Sequence, residues 1–476
     1  MTPNPSLELS NRMQKLIHQD VLQFIEPLFP IEVIDSYVPT SGKKRRDRIY
    51  TPRNTLLTMI ITAIHDDKSL QHSVNIFQEV FHHNQQETIR QAEKQLQEFH
   101  AACREQGARK PGRPRLFKLK IPKSKTKPIS ENTAAYSKAR DRVEQGLIDS
   151  VYAATTHSEG LSCVKPWHGW TTYNTDGTYF QMQDSLKIPE KYRAQKNRDG
   201  SLQGYPQGLL QVLVQHGSGF VADYRIAGRK DSELKQMAAM VENLPQNSLI
   251  LADDLYNSYA MINYLIDHGV AVIVPEKKSR LFEVIKAIAP GDDIVRIKKP
   301  TVIKPLVAGQ HLQDYLTLRR IVYADAVDPQ IQHVLLTTIL DESIEKTEIV
   351  TKYSTRWDVE ITIREIKTLM AMNIARSQSE EMVFKEMGVA IIAYNLLRRV
   401  ITESTKKTAF SPETDFFQEL FTHSTPTLVD RKGRVYSRWA PGRPVHNISE
   451  SQKAHDSLSS RETLSKKNQG RQISKI

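Results

Sequence analysis

The chain has 476 residues, of which 39% are hydrophobic, and it carries a formal net charge of +12 at neutral pH. It has no apolar run of 18 residues and begins without the apolar core of a signal peptide, so we expect neither a membrane span nor a secretory leader. Its two cysteines, Cys103 and Cys163, are 60 positions apart, which argues against a paired-cysteine zinc site and favours a cytoplasmic protein.

Two segments without helical or strand periodicity hold much of the positive charge. Residues 103–128 contain ten Lys or Arg and one Glu, and residues 430–476 contain eleven Lys or Arg and four Asp or Glu. Charge of this sign and density indicates a polyanionic partner, most often nucleic acid. We interpret the first segment as a linker that contacts DNA and the second as a basic, disordered tail, with a role in solubility alone as the alternative for both. The linker residues assigned to DNA are Lys110, Arg113 and Arg115.

The first hundred residues have the apolar spacing of helices. Leu56, Ile60 and Ala63 recur at helical intervals, and a second apolar set follows in residues 74–81. A small helical domain commonly presents one helix to a DNA groove, so we predict a helical DNA-binding domain over residues 1–102. The same spacing is equally typical of a helical core that has no DNA contact.

From about residue 170 the apolar period changes to that of strands. Three strand-like segments joined by short turns end at Gly228 and predict an antiparallel meander. They are followed by a helix, a short apolar strand, a second helix and another apolar strand, which ends near Glu276. This order predicts an α/β fold with an RNase H-like domain, whose final element is a helix that carries an acidic residue. Residues 277–350 contain further strand-like segments, which we interpret as a β-rich insertion before that helix.

The predicted late helix combines several cations with one carboxylate. On a regular α-helix, the side chains of Tyr353, Arg356, Glu360, Arg364 and Lys367 fall within an arc of roughly 80°. A lone carboxylate among cations suits a metal ligand that is held beside phosphates. The alternative is a solvent-exposed helix face with ion pairs one turn apart, such as Glu360 with Arg364. The adjacent stripe is apolar and is predicted to be buried: Val359, Ile363, Ile366 and Met370.

The spacing Tyr-x2-Arg-x3-Glu-x6-Lys resembles the motif of insertion-sequence transposases of the fourth insertion-sequence family, a branch of the DDE transposases. All four letters match at the family's spacing. The two aspartate motifs of that family are similar to residues 175–178 (TDGT) and 252–256 (ADDLY), and its segment before the catalytic domain is similar to residues 130–143. The resemblance covers about residues 50–400 and leaves both flanks uncovered.

The resemblance implies that Asp176, Asp253 and Glu360 are the catalytic residues and together hold two Mg²⁺ or Mn²⁺ ions about 4 Å apart. Asp254 competes for the second position, which we assign to Asp253 because that residue adjoins the apolar strand. The family commonly has Arg where this chain has Asp254. Taken without this context, Asp176 followed by Gly177 is equally typical of a hairpin turn.

The resemblance also implies that Tyr353, Arg356 and Lys367 contact the phosphates of the transposon end. Guanidinium and ammonium groups are the side chains that bind phosphate most effectively. Arg364 lies on the same predicted helix face and is assigned to DNA with them.

One feature departs from relatives that stack a flipped base on a tryptophan of the insertion while they form a DNA hairpin. Residues 277–350 contain no tryptophan. Tyr315 or Tyr323 could provide a stacking platform, although either is equally typical of strand core. Trp357 lies off the cationic stripe and is interpreted as a core residue.

Together these features predict a DNA transposase that binds terminal inverted repeats as a homodimer, cleaves the element ends by two-metal hydrolysis and joins 3′-OH ends to target DNA. Two alternatives remain: a catalytically idle DNA-binding protein derived from a transposase, and an RNase H-like nuclease without strand transfer. We expect a cytoplasmic, nucleoid-associated bacterial protein that does not contact membranes. The predicted segments are a helical N-terminal domain (1–102), a basic linker and helix (103–148), two parts of the catalytic domain (149–276 and 351–402), the insertion between them (277–350) and the tail (403–476).

Overall fold

The computed structural model of the chain describes residues 28–38, 49–65, 67–78, 94, 131–156, 164–193, 204–229, 231–276, 280–325, 328–406, 428–429 and 435–436. Lys110, Arg113 and Arg115 of the predicted basic linker lie outside these residues, as does most of the predicted tail. The chain divides into two units, residues 1–420 and 421–476. In the second unit, Leu428–Val429 and Val435–Tyr436 pair as antiparallel strands, although the tail sequence predicted no periodic structure.

A nine-stranded mixed sheet lies at the centre of the described part of the first unit. Its strands are β1 (Thr171–Gln181), β2 (Gln207–Gln215), β3 (Val221–Gly228), β4 (Ser248–Leu251), β5 (Ala271–Pro275), β6 (Glu283–Ala289), β7 (Asp292–Lys298), β8 (Tyr315–Ala324) and β9 (Gln332–Thr337). They are arranged in the order β3-β2-β1-β4-β5-β9-β8-β7-β6. The fold is therefore a mixed α/β fold, which confirms the predicted class.

The first five strands follow the predicted succession. β1, β2 and β3 form an antiparallel meander, and β4 and β5 then run parallel to β1. Side chains alternate between the two faces of a strand, and in β4 Ile250 packs in one apolar cluster while Leu249 and Leu251 pack in another on the opposite face. Burial on both faces explains why β4 and β5 are short, nearly continuous apolar runs.

The strands of the predicted insertion continue this same sheet. β9 pairs antiparallel with β5 through Ile273–Pro275, and β8, β7 and β6 follow outward in turn. Sequence periodicity predicts these strands but not their partner, because it reports only which face of each strand is apolar.

The described helices are α1 (Ile31–Ser36), α2 (Pro52–Ile64), α3 (Ala134–Arg142), α4 (Gln145–Thr156), α5 (Glu233–Val241), α6 (Tyr259–Asp267), α7 (Lys346–Ser354), α8 (Asp358–Arg364) and α9 (Glu380–Lys406), and residues 70–78 are also helical. Local sequence sets several helix ends. The Ser258 hydroxyl accepts a hydrogen bond from the Met261 N–H at the start of α6, at 3.2 Å. Gly269, with a φ of +67°, follows the end of α6 in the left-handed conformation that glycine adopts without strain.

Helix α9 connects the N-terminal helices to the sheet. It packs against α2, α4 and β3. Leu56 and Ile60 of α2 are fully buried, so the apolar positions that predicted this helix are core residues. A contact between the N-terminal helices and a DNA groove stays a prediction. In the part of the chain that the structure describes, no helix combines the length and apolarity needed to cross a bilayer.

The insertion contains a buried ion pair that apolar periodicity does not predict. Arg319 Nε and Nη2 donate to the two carboxylate oxygens of Asp292 at 2.7 and 2.6 Å. Arg319 Nη1 donates to the backbone carbonyl of Asp341 at 2.7 Å. The arginine is only 1% exposed, so its three hydrogen bonds replace the solvent that burial has removed.

Replacing Arg319 with methionine is expected to lower the free energy of unfolding by about 3–5 kcal/mol, because the Asp292 carboxylate then stays buried without its partner. Urea unfolding followed by circular dichroism measures the change. The control is the double variant Arg319→Met with Asp292→Leu, which should recover most of the loss because neither charge remains buried. Equal losses in the two variants would mean that lost packing, and not the orphaned charge, sets the cost.

Candidate active site

Asp176 and Asp253 occupy equivalent positions on two adjacent parallel strands. The pairing of β1 with β4 ends where Asn174 lies opposite Leu251. Asp176 follows two residues after Asn174, and Asp253 follows two residues after Leu251. The parallel register therefore brings the two aspartates to the same end of the strand pair.

Asp176 and Gly177 lie inside β1, so the alternative of a hairpin turn at these residues is wrong. Asp176 is opposite Val212 on β2, and Gly177 is opposite Gln211. An Asp-Gly pair favours a turn, but here both residues pair with β2 and the strand continues through them.

Asp253 and Asp254 have different surroundings just after β4. Asp253 Oδ1 accepts a hydrogen bond from the Leu255 N–H at 2.9 Å and so caps a short 3-10 turn at residues 254–256. Asp253 is half-buried, whereas Asp254 is exposed. The half-buried position of Asp253 supports its assignment over Asp254 as the partner of Asp176.

A cleft opens along the edge of β1 beyond the end of β4. On that edge β1 regains a partner near Gln181, which bridges to Ile374. The cleft between these points has a volume of about 390 Å³. Its walls are formed by Asp176, Gly177 and Thr178 on one side and by Glu360, Ile363, Arg364, Lys367 and Thr368 on the other. Asp253 is not part of this lining.

Glu360 reaches the cleft from α8, which packs against β1. Its side chain is 47% exposed, and its Oε1 lies 3.6 Å from Arg356 Nη2. An ion pair one turn apart is therefore present on this helix, formed with Arg356. Three members of the predicted apolar stripe, Val359, Ile366 and Met370, are buried, whereas Ile363 is half-buried and lines the cleft.

The segment from Tyr353 to Lys367 is not one regular α-helix, so the calculated 80° arc does not describe it. α7 ends at Ser354, a 3-10 turn spans Thr355–Trp357, and α8 passes at Glu365 into a π-helix that ends at Leu369. Each change of helix type alters the rotation per residue. Uniform helical spacing therefore predicts the presence of this element but not the direction of each side chain.

The π-helix places Lys367 against β1. Lys367 Nζ donates a hydrogen bond to the Thr178 hydroxyl at 3.0 Å. The start of the π-helix is anchored by Glu365, which is buried and accepts from Arg398 Nη2 at 2.7 Å and from the Tyr394 hydroxyl at 2.8 Å. The two anchors hold the wall of the cleft to β1 and to α9.

Tyr353 and Arg356 lie behind the carboxylates. The Tyr353 hydroxyl donates to the backbone carbonyl of Ala252, next to Asp253, at 3.3 Å, and burial raises the pKa of Tyr353 to about 12. Arg356 is only 7% exposed. Tyr353 thus contacts the backbone beside Asp253, and Arg356 lies beside Glu360; the contact of both with DNA phosphates stays a prediction.

Trp357 is exposed, so its interpretation as a core residue is wrong. It is 59% exposed, and the Arg356 guanidinium lies 4.2 Å from the centre of its ring. The 3-10 turn carries the indole away from the buried stripe. Of the two tyrosines considered as stacking platforms, Tyr315 is exposed at the start of β8, and Tyr323 packs against the apolar cluster that contains Leu249.

The carboxylates of this region repel one another. Burial raises the pKa of Asp176, and the negative charges of Asp253 and Glu360 raise it further, while the Gly177 N–H and Arg356 lower it. A fourth acid, Glu233 at the start of α5, was missed by sequence reasoning. Burial and the charges of Asp176 and Asp253 raise its pKa. No spacing signal marks Glu233, since only the folded chain brings α5 to this strand.

The donor set suits a hard divalent cation, although the side chains do not converge on one point. Within the described ranges, no three His, Cys, Asp or Glu side chains are grouped so that they could hold a metal ion as they stand. Asp176, Asp253 and Glu360 nevertheless offer only oxygen atoms, which Mg²⁺ and Mn²⁺ prefer. On the same face of β1, the buried Asn174 Oδ1 has no hydrogen-bond partner. A cation fits this chemistry because it would relieve the repulsion between the acids.

Part of the chain is similar to known transposases. Residues 170–396 match the family described as Transposase DDE domain. The transposase InsG for insertion sequence element IS4 of Escherichia coli K12 is 26% identical over 274 residues, 56% of this chain and 60% of InsG. InsZ of the same strain, a presumed transposase, is 25% identical over 138 residues, 29% of this chain and 46% of InsZ.

A solved transposase structure has a low similarity to this chain. The cryo-EM structure of the piggyBac transposase synaptic complex with hairpin DNA has a TM-score of 0.36 and 10% identity, over 87% of this chain and 80% of that chain. A TM-score of this size supports no conclusion about the site. The family match is the more informative finding, since residues 170–396, which match the family described as Transposase DDE domain, contain Asp176, Asp253 and Glu360.

Proposed function

We propose that this chain is a transposase of an insertion sequence, which cleaves the ends of its element and joins them to target DNA. The match covers 60% of InsG, so the activity of the whole chain is our inference. The strand order β3-β2-β1-β4-β5, with only β2 antiparallel to both neighbours, supports an RNase H-like domain as its catalytic part.

One observation carries the proposal. Asp176 and Asp253 follow the end of the β1–β4 pairing at the same distance, and Glu360 faces Asp176 across the cleft. Two carboxylates from elements far apart in sequence, Asp176 and Glu360, thus line one open groove beside the sheet, and Asp253 lies at the same end of the strand pair as Asp176. Such an arrangement suits catalysis at a phosphodiester, where charge develops on the attacking and the leaving oxygen.

We infer that Asp176, Asp253 and Glu360 hold two divalent cations. When bound, these ions would activate the attacking oxygen and stabilise the leaving oxygen of a phosphodiester. The positively charged side chains have a different role from the metal ions. Arg364 and Lys367 line the same cleft as Glu360 and would bind the phosphates on either side of the scissile bond. Arg356, which is buried beside Glu360, would orient that carboxylate and balance its charge.

The proposal is tested with duplex oligonucleotides that carry the terminal inverted repeat flanking the gene, a supercoiled target plasmid and Mg²⁺. We expect nicked or cut ends and covalent joining of labelled ends to the plasmid, both abolished by chelation. Cleavage without joining would favour a nuclease without strand transfer. Specific binding without any cleavage would favour a catalytically idle DNA-binding protein. A size measurement of the complex by light scattering tests the proposed homodimer on paired ends.

We further propose that the basic linker contacts DNA phosphates. Replacing Lys110, Arg113 and Arg115 with alanine should weaken binding and lower the slope of log affinity against log salt by about three, near one for each lost phosphate contact. Fluorescence anisotropy with a terminal-repeat duplex at several salt concentrations measures this slope.

The matched control removes three other positive charges whose contacts lie within the protein. Lys286 pairs with Glu342, Lys299 pairs with Asp314, and Lys346 donates to the Pro290 carbonyl. Alanine at these three positions lowers the net charge equally but should leave the salt slope nearly unchanged. The same fall in slope for both triple variants would mean that net charge alone attracts DNA and that the linker makes no dedicated contact.

A further inference from the structure

Gly177 lies where a side chain would collide with a carboxylate. A Cβ built on Gly177 would be 2.9 Å from Glu233 Oε2 and 3.0 Å from Gln211 Oε1. Gly177 does not have a positive φ, so its backbone conformation alone does not require glycine. The space in front of Gly177 is therefore kept free for the approach of these two oxygens.

Gln211 presents its amide oxygen to this space without a hydrogen-bond partner. The side chain is fully buried, and its Oε1 is unpartnered. Its Nε2 donates to the Thr175 hydroxyl at 3.0 Å and to the Tyr256 hydroxyl at 2.5 Å. The Thr175 hydroxyl already donates to the Val212 carbonyl at 3.0 Å, so it must accept from Gln211. This fixes the orientation of the amide, with its oxygen towards Gly177.

Glu233 brings a charge to the same space. Its side chain is half-buried at the first residue of α5, and the described residues contain no hydrogen-bond or ion-pair partner for it. Burial raises the pKa of Glu233, and the negative charges of Asp176 and Asp253 raise it further. A buried, unpartnered amide oxygen that faces an unpartnered carboxylate is costly unless something positive lies between them.

We propose that Glu233 and Gln211 Oε1 complete a divalent-cation site with Asp176, so that four carboxylates and not three serve the metal ions of this cleft. The inference rests on the proposed function, in which Asp176 is already taken as a metal ligand. A cation suits the site because neither Glu233 nor Gln211 Oε1 has a hydrogen-bond donor among the described residues, and Mg²⁺ and Mn²⁺ prefer carboxylate and carbonyl oxygens. Asp176 and Gly177 both lie beyond Asn174, where the pairing of β1 with β4 ends, and the negative charge of Asp176 acts on Glu233.

The proposal also explains why residue 177 is glycine. Any side chain there must displace Glu233, whose flexible end can move, or Gln211, which its hydrogen bonds hold in place. Gly177→Ala should therefore fold normally and move only the Glu233 carboxylate out of the site. It tests the same ligand without changing the acid itself.

The test measures Mn²⁺ binding to the full chain by electron paramagnetic resonance of the free ion, with a terminal-repeat duplex present. We expect two bound Mn²⁺ for the unaltered protein and one for Glu233→Gln, or a second ion bound about 10- to 100-fold more weakly. Gly177→Ala should resemble Glu233→Gln. Glu242→Gln, a variant at the other end of α5 with the same charge change, should keep both ions. Terminal-repeat binding should be equal in all four proteins.

Two outcomes would overturn the inference. Equal Mn²⁺ binding by the unaltered protein and Glu233→Gln would mean that Glu233 is a protonated acid that donates to Gln211 Oε1, a bond that glutamine can replace. Loss of the second ion in Glu242→Gln as well would mean that net charge, and not a ligand, is responsible. The same measurements separate this inference from the proposed function. If the unaltered protein binds no Mn²⁺ and cuts no DNA, both fail. If Glu233→Gln cuts DNA normally and binds two Mn²⁺ ions, only this inference fails.

Discussion

Replacing Asp176 or Asp253 with asparagine is expected to reduce cleavage of the element ends by about 1,000-fold. Each change removes one charged metal ligand, and a loss of about 4 kcal/mol in the stabilisation of the transition state corresponds to that factor. Glu360→Gln should have an effect of the same size. Gel assays with labelled terminal-repeat duplexes measure cleavage, and anisotropy measures binding. Binding should stay within about twofold of normal, because the basic surface is unchanged.

Asp254→Asn provides the matched control for these changes. Asp254 is adjacent to Asp253 and has the same charge, but it is exposed where Asp253 is half-buried. The control variant should cleave nearly as well as the unaltered protein. An inactive Asp254→Asn together with an active Asp253→Asn would reverse the assignment of the second aspartate and would contradict the role that the strand register suggests.

Replacing Arg356 with alanine should fail mainly on uncut ends. Arg356 cannot bind a metal ion, but it lies 3.6 Å from Glu360 and supports the wall of the cleft. Its loss should keep all three carboxylates in the chain but loosen the orientation of Glu360 and of the cleft wall, and a phosphodiester misplaced in this way can react on the order of 100-fold more slowly. On pre-cut ends with a free 3′-OH, part of the joining activity should remain, whereas Glu360→Gln should be inactive on both substrates.

Arg356→Lys tests whether the positive charge of Arg356 or the shape of its guanidinium is needed for cleavage of uncut ends. Lysine keeps the positive charge but lacks the planar guanidinium that stacks on Trp357 and reaches Glu360. Partial recovery on uncut ends would indicate that charge near Glu360 is the main contribution. If Arg356→Ala and Glu360→Gln are equally inactive on pre-cut ends, Arg356 is part of the metal site's own integrity and the division of roles must be abandoned.

The sequence predicts the strands and helices of the central sheet well because their periodicity is regular. β1 was predicted from its alternation, and Asp176 was placed within it by the resemblance of residues 175–178 to a family motif. The resemblance of residues 252–256 to a second family motif points to Asp253, and the short apolar run before it, which is β4, favours Asp253 over Asp254. In these elements the local pattern and the fold agree, so apolar spacing predicts the strands, whereas the site residues are implied by the resemblance.

Three features could not be predicted because they depend on tertiary contacts or on irregular backbone. The 3-10 turn at Thr355–Trp357 and the π-helix that begins at Glu365 break the uniform rotation that a spacing argument assumes. Trp357 lies off the cationic stripe of a uniform helix and is therefore interpreted as core, but the 3-10 turn changes its direction and leaves it exposed. Glu233 has no spacing signal, because its importance depends on what Gly177 faces in the folded chain.

Because β9 pairs with β5, the strands of the insertion lie at fixed distances from the strands that carry the candidate active site. Backbone hydrogen bonds hold adjacent strands about 4.8 Å apart, so β8 lies three spacings, or about 14 Å, from β4. A bidentate ion pair between Arg320 on β8 and Glu276 after β5 fastens the same junction. The insertion strands are thus held at a set distance from β4 and from Asp253, as long as the hydrogen bonds of the sheet are intact.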